Sequence, residues 1–386
     1  MERERKPKMP WKEVTRMSSR REFVELAKQE NANISQLCRQ YGISRKTGYK
    51  WLKRYKKQGV DGLKDQSRKP RCSPKKTSEE IEAAILKVRD KHDSWGSRKI
   101  KRFLEDKGHK QLPSPSTITV ILQRNEKISE EESQKHKPYQ RFEMEEPNQL
   151  WQMDYKGYFP LAKSGYCHPL TILDDHSRFL LGLRACENEQ SQTVQANLTD
   201  VFRHYGMPDR MLMDNGSPWG NSADSPYTIL TVWLIRLGIK ISHGRAYHPQ
   251  TQGKDERLHR TLNDELLKDS AFFDHSDCQN QFEDWRYMYN FERPHEALGM
   301  NTPSSRYRPS LRPFPEGLPP ILYDSKYDIR KVDISGRISF KNCVFRVGKA
   351  FRHNPVAVHP TDVDGVYDII FCDQKVSQIN LHLGNC

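Results

Sequence analysis

The sequence predicts a multidomain chain: all-α helix-turn-helix modules at the N-terminus, an α/β domain in the middle and a small β-barrel at the C-terminus. Three observations carry this reading. Residues 18–124 hold apolar stripes at helical spacing, broken by Gly, Ser and Pro turn signals. Residues 149–242 mix apolar strand-like runs with helical stripes, the pattern of an α/β domain. Residues 321–386 switch to a period of two. The boundaries read as 1–62 and 77–128 for the helical modules, 147–302 for the α/β domain and 321–386 for the barrel. Segments 63–76, 129–146 and 303–320 read as linkers.

The first module starts with a helix from Ser18 that places Phe23, Leu26 and Ala27 on one face. A short helix, Ile34 to Tyr41, follows; Gly42 turns the chain, and Ser44 caps a third helix running to Gln58. The early turns of that helix carry Arg45, Lys46, Thr47 and Lys50, where a major-groove reader places its base contacts. Trp51, Leu52 and Tyr55 are expected to pack inward. In the linker, Arg68, Lys69 and Arg71 suit a phosphate backbone or a groove, and a plain tether fits equally well. The second module opens on a capping box, Thr77 to Glu80. Its next helix starts at Ser97. Its last starts at Ser114-Pro115, with proline at the first helical position, and carries Thr117, Thr119 and Arg124 as candidate DNA contacts.

Within the α/β domain, strands are expected at 149–158, 166–174 and 178–186, then a helix from Ser191 to Tyr205 with Val194, Leu198, Val201 and Phe202 inward. A further strand ends at Asp214, before the turn signal Asn215-Gly216. A helix near 227–237 and a short strand at 239–242 come next. The last helical stripe, Leu258, Leu262 and Leu266, begins beside Glu256. Asp154 lies in the apolar run Trp151-Gln-Met-Asp154. An ionised carboxylate there is costly unless it is paired or binds a cation. Asp154, Asp214 and Glu256, from two strands and a helix, can converge on hard cations such as Mg²⁺ or Mn²⁺. Two such ions about 3.5–4 Å apart serve phosphoryl transfer. Asp174 and Asp175 read instead as turn caps. Asp255 rivals Glu256, but adjacent helix residues face about 100° apart, so the two cannot share a role.

These residues carry a resemblance. Trp151-Gln-Met-Asp154, Leu173-Asp-Asp-His-Ser-Arg178, Asp214-Asn-Gly216, Tyr247-His-Pro-Gln-Thr-Gln-Gly-Lys-Asp-Glu-Arg-Leu-His-Arg-Thr-Leu262 and Tyr289-Asn-Phe-Glu-Arg-Pro-His-Glu-Ala-Leu-Gly299 are together similar to the integrase-core DDE transposases of bacterial insertion sequences, in the superfamily of retroviral integrases. The resemblance implies a ribonuclease-H-like core for 147–302 and an acidic triad of Asp154, Asp214 and Glu256 holding two Mg²⁺ or Mn²⁺ ions. It implies binding of terminal inverted repeats, 3′-end cleavage and strand transfer into target DNA by at least a dimer. Lys254, Arg257 and Arg260 would hold substrate phosphates. For Arg260 an exposed helix position is an equal reading, and His248 either positions DNA or packs under its loop. The interval from Asp214 to Glu256 exceeds the short retroviral pattern, with the extra length in the polar loop 219–226. A zinc-binding N-terminal domain like that of retroviral integrases has no counterpart in this sequence. The alternatives are a catalytically inactive DNA-binding regulator derived from such an enzyme, and a plain metal nuclease.

Composition agrees with a polyanionic partner. The 386 residues carry 64 Lys plus Arg against 50 Asp plus Glu, a formal charge of +14. No apolar run approaches the roughly 18 residues of a membrane span. The start, Met-Glu-Arg-Glu-Arg-Lys, lacks a signal-peptide core. The eight cysteines form no Cys-x-x-Cys pair, which argues against a structural zinc and for reduced thiols in a cytoplasmic setting.

Overall fold

The computed structural model describes residues 15–65, 77–128, 143–220, 226–243 and 253–382. The chain divides into two compact units, Met1–Lys76 and Thr77–Cys386. Arg68, Lys69, Arg71 and His248 lie outside the described residues.

The first unit is a three-helix module: α1 (Arg16–Ala27), α2 (Ile34–Gln40) and α3 (Arg45–Gln58). Each helix has a side-chain N-cap. Thr15, Asn33 and Ser44 accept from the backbone N–H of Ser18, Gln36 and Thr47. Phe23, Val24, Cys38, Trp51 and Leu63 form the core. Gly48 lets α3 approach α2, because a Cβ there would stand 2.6 Å from the Cys38 Sγ.

The second unit begins with α4 (Glu79–Lys91), α5 (Ser97–Asp106) and α6 (Pro115–Arg124) around Ile85, Trp95, Ile100 and Ile118. The cap of α4 is Ser78 rather than Thr77: its hydroxyl accepts from Ile81 N–H. Three helices of this size bury little apolar surface, and the module leans on the core. Glu265, only 4% exposed at its side chain, accepts from Ser94 Oγ at 3.0 Å, the Trp95 indole at 3.2 Å and Arg293 Nε at 2.9 Å.

The α/β domain holds β1 (Trp151–Tyr155), β2 (Phe159–Pro160), β3 (Tyr166–Asp174), β4 (Leu180–Cys186), α7 (Ser191–Tyr205), β5 (Arg210–Met213), α8 (Ile229–Arg236), β6 (Lys240–His243), α9 (Gly253–Leu262) and α10 (His275–Tyr287). Its sheet runs β2-β3-β1-β5-β6, with β4 also paired to β3. The β1–β3 and β3–β4 pairs are antiparallel, and β1–β5 and β5–β6 are parallel. One face packs Trp151, Met153, Leu170 and Ile172 against Val194, Leu198 and Phe202 of α7 and Leu230 and Leu234 of α8. The other packs Leu173, Leu180 and Leu183 against Leu258 and Leu262 of α9 and Phe282 and Trp285 of α10. The segment 303–320 packs on this domain: Tyr307 stacks on Phe179 at 4.3 Å, and Arg203 pairs with Glu316 at 2.7 Å.

The C-terminal region differs from expectation. β7 (Asp328–Lys331), β10 (Pro355–Pro360), β11 (Val366–Phe371) and β12 (Gln374–Asn380) form an open sheet of order β12-β11-β10-β7. The hairpin of β8 (Arg337–Phe340) and β9 (Cys343–Arg346) is a separate sheet. No closed barrel forms among the described strands. Ile338, Phe340, Cys343 and Phe345 face one core with Val356, Val358, Ile369 and Phe371. Two layers then bury the apolar faces without the stagger that closure requires. Val232 and Ile235 of α8 join this core.

Among the described residues, Cys38, Cys167, Cys186, Cys278 and Cys372 are free thiols. No helix among the described residues is long and apolar enough to cross a membrane.

Candidate active site

Strand register places the first two acids. The pleat of β1 turns Trp151 and Met153 toward α7 and α8, so Gln152 and Asp154 face α9 and α10. Asp154 lies opposite Thr171 of β3. The neighbouring strand β5 runs parallel to β1 and ends at Met213, so Asp214 emerges at the same carboxyl edge. That edge is where α/β sheets place ligands. Gly216 N–H donates to Asp214 Oδ1 at 3.0 Å, and His243 Nδ1 lies 2.9 Å from the Asp214 carbonyl oxygen.

The Asp214 charge acts on the Asp154 carboxyl. Burial, then the Asp214 charge, pushes the Asp154 carboxyl up to about 6, with Glu189 adding to the rise. The Tyr155 N–H, at 2.9 Å from Oδ1, and Lys156 oppose it. Asp214 is also raised, by burial first and by Glu189 last, against Gly216 N–H and His243. Partly buried carboxylates that repel one another suit a divalent cation, and oxygen donors are what Mg²⁺ and Mn²⁺ take. Asp154 and Asp214 therefore fit the metal that the resemblance implies.

Glu256 is not brought to them. It is exposed in the first turn of α9, and no group of three His, Cys, Asp or Glu among the described residues could hold a metal ion. Two mutually repelling carboxylates do not draw in a third without a cation between them. The inward position belongs to Asp255, 3% exposed, whose Oδ1 has no hydrogen-bond partner. Burial, then Asp154, then Asp175 push its carboxyl well above the usual range.

His259, which the sequence reading did not single out, also faces this site. Its Nε2 is 2.9 Å from Thr171 Oγ1, and its Nδ1 is 3.9 Å from Asp154 Oδ2. Thr171 Oγ1 in turn donates to the Asp154 carbonyl at 3.0 Å. Burial, then Lys156, lowers the imidazole to about 4, so it stays uncharged near neutrality. Spacing could have found it, since His259 lies one helical turn after Asp255 on the buried stripe. Glu189, paired to His168 Nδ1 at 2.9 Å, gave no comparable signal.

Of the cations, Lys254 is tied to Asp175 through its Oδ1, which fixes α9 to the β3–β4 turn and takes the ammonium from the phosphate role. Arg257 and Arg260 are exposed. Asp174 caps its turn as expected, accepting from Ser177 N–H at 2.8 Å. Asp175 instead receives Gln152 Nε2 at 2.6 Å and Met144 N–H at 2.8 Å. In the first unit Arg45, Lys46 and Lys50 are exposed along one helix, and the Thr47 hydroxyl lies 2.9 Å from the Ser44 cap. In the second module Thr117 contacts the Ser114 cap at 3.0 Å, Thr119 donates to Ser97 Oγ at 3.0 Å, and Arg124 pairs with Glu82.

Comparison with known proteins matches the integrase core domain at residues 144–249 and again at 237–303. The IS481 family transposase C-terminal domain matches 327–385, a helix-turn-helix domain 19–71 and a homeodomain-like domain 47–122. The transposase for transposon Tn552 of Staphylococcus aureus is 25% identical over 311 residues, covering 71% of this chain and 63% of that protein. The Gag-Pro-Pol polyprotein of simian retrovirus SRV-2 is 34% identical over 122 residues, 32% of this chain and 6% of the polyprotein. A putative integrase of Spiroplasma virus SpV1-C74 is 27% identical over 181 residues, 43% of this chain and 49% of that protein. The chain thus spans less than two thirds of the length of each of these relatives. Among solved structures, the simian T-cell lymphotropic virus intasome in complex with PP2A regulatory subunit B56 gamma gives a TM-score of 0.38 at 17% identity, over 78% of this chain and 97% of that one.

Proposed function

Because the chain carries an integrase core domain, we propose that it is a DNA transposase that cleaves the 3′ ends of its element and joins them to target DNA. One observation carries the reading. Asp154 and Asp214 emerge from the carboxyl ends of adjacent parallel strands, and the charge of one raises the carboxyl of the other.

Asp154 and Asp214 would hold Mg²⁺ or Mn²⁺, and Glu256 would complete the set from the first turn of α9. When bound, two such ions supply the positive charge that phosphoryl transfer needs at the attacking and leaving oxygens. The chain's residues do the rest. Thr171 holds the Asp154 backbone carbonyl, and His259, bonded to Thr171, faces the Asp154 carboxyl. Arg257 and Arg260, exposed beside Glu256, meet phosphates. In the first reaction, water bonds to phosphorus and the element's 3′ oxygen leaves as a hydroxyl. In the second, that hydroxyl bonds to a target phosphorus and a target 3′ oxygen leaves. Neither requires a covalent enzyme intermediate.

Arg45, Lys46, Thr47 and Lys50 on α3 would read the terminal inverted repeat in the major groove, with Thr117, Thr119 and Arg124 of the second module extending the site. Two ends held at once require at least a dimer.

The test is strand transfer of a labelled element-end duplex into a plasmid with Mg²⁺ or Mn²⁺, wild type beside Asp214→Asn. Wild type should join and the variant should bind the end without joining. Equal joining by both removes Asp214 from the site. End binding by both with no joining under either metal supports a regulator instead.

A further inference from the structure

A cavity of about 490 Å³ lies beside the candidate active site, between the β1–β2 turn and the chain that follows α9. Tyr158 and Phe159 supply aromatic wall over the buried Phe272, and Lys156 and Asn263 are among the lining residues. Among the described residues lining it, none is Asp or Glu. Lys156 stands two residues after Asp154 in sequence and is close enough to act on both Asp154 and His259. Tyr158 is 68% exposed at the rim, where its ring meets Tyr166 edge-on at 5.3 Å and His168 at 5.6 Å. His168 bonds Glu189, which acts on Asp154 and Asp214.

We propose that this cavity receives one unpaired nucleotide from the end of the bound DNA, a role that rests on the transposase reading above. The size falls within the range of small-ligand sites, and a paired, stacked base has no face to offer it. Every base has a π-face for an aromatic wall, so the site need not depend on sequence. Lys156 meets the phosphate, since no Asp or Glu is among the described residues lining the cavity. Extruding a base costs least at a frayed or unpaired end, which is where the reacting phosphodiester lies.

The experiment places 2-aminopurine at the terminus of an element-end duplex, either paired or unpaired, and titrates it with full-length protein carrying Asp214→Asn, so that binding is read without chemistry. Fluorescence of the unpaired probe should fall on binding and that of the paired probe should not. Adding Tyr158→Ala, or Ala162→Trp to fill the cavity, should weaken binding of the unpaired end about tenfold. The paired end should bind as before, and Tyr158→Phe should match the parent. Equal losses for both probes, or none, overturn the cavity proposal while the transposase reading stands. A change in oligomeric state confined to the Tyr158 and Ala162 variants would reassign the rim to protein contact. Failure of the parent protein to bind either end would remove the reading beneath it.

Discussion

The Trp95 indole donates to Glu265 Oε1 at 3.2 Å, which ties the second helical module to the chain that continues from α9. Arg293 and Ser94 converge on the same carboxylate. Glu265→Ala removes the acceptor for three donors and leaves Arg293, 9% exposed, as an uncompensated charge. The expected loss is about 3–5 kcal/mol. Denaturant unfolding checks this. Trp95→Phe, which keeps most of the ring volume, should cost much less.

The two acids at the head of α9 should part company on mutation. Glu256→Gln is expected to abolish strand transfer while leaving unfolding unchanged, because the residue is exposed. Asp255→Val is expected to stabilise the protein by about 1–3 kcal/mol, because it replaces a buried carboxyl that has an unsatisfied oxygen. Joining should survive it. Loss of joining with Asp255→Val and not with Glu256→Gln would exchange their roles.

Asp154 makes stability depend on pH in a definite direction. Its carboxyl titrates near 6 in the folded chain, above the ordinary 3.8. Its contribution is therefore complete below about pH 4 and is lost as pH rises through about 6. Asp154→Asn should flatten that slope and stabilise the protein at pH 7 by up to about 3 kcal/mol. Melting curves across pH 4–8 measure it.

Divalent cation should offset the same repulsion. Millimolar Mg²⁺ or Mn²⁺ should raise the melting temperature of the wild type at pH 7 by mass action on the folded state. Asp154→Asn and Asp214→Asn should each blunt the shift. An equal shift in all three proteins would place the ion elsewhere.

For the first unit, Lys46→Ala or Lys50→Ala is expected to weaken end binding without unfolding α3, since both side chains are exposed. A phosphate contact predicts a uniform loss across sequences and a salt slope reduced by about one. A base contact predicts about 1–3 kcal/mol and relaxed specificity. Binding isotherms at several salt concentrations separate the two.

Local pattern sufficed for much of this protein. Helical spacing marked α1 to α6 closely, and the caps Ser44 and Ser114 marked the starts of α3 and α6, because such caps are satisfied within three residues of chain. The strand that runs up to Asp214 and the α7 helix from Ser191 to Tyr205 were legible from their local apolar patterns. Motif likeness pointed to Asp154 and Asp214 from a few residues each. Other features depend on partners distant in sequence, and these only the tertiary structure decided. Asp255 turns inward because Leu258 and Leu262 fix the phase of α9 against the sheet. Lys254 is held by Asp175, a residue 79 positions away. His259 gains its meaning from Thr171, across 88 residues. Glu265 became an anchor between modules through Trp95. The C-terminal strands alternate as a barrel's would, but alternation sets which side chains face inward and not whether the edges close. Closure, burial and pairing are long-range properties, set when the apolar faces are packed together.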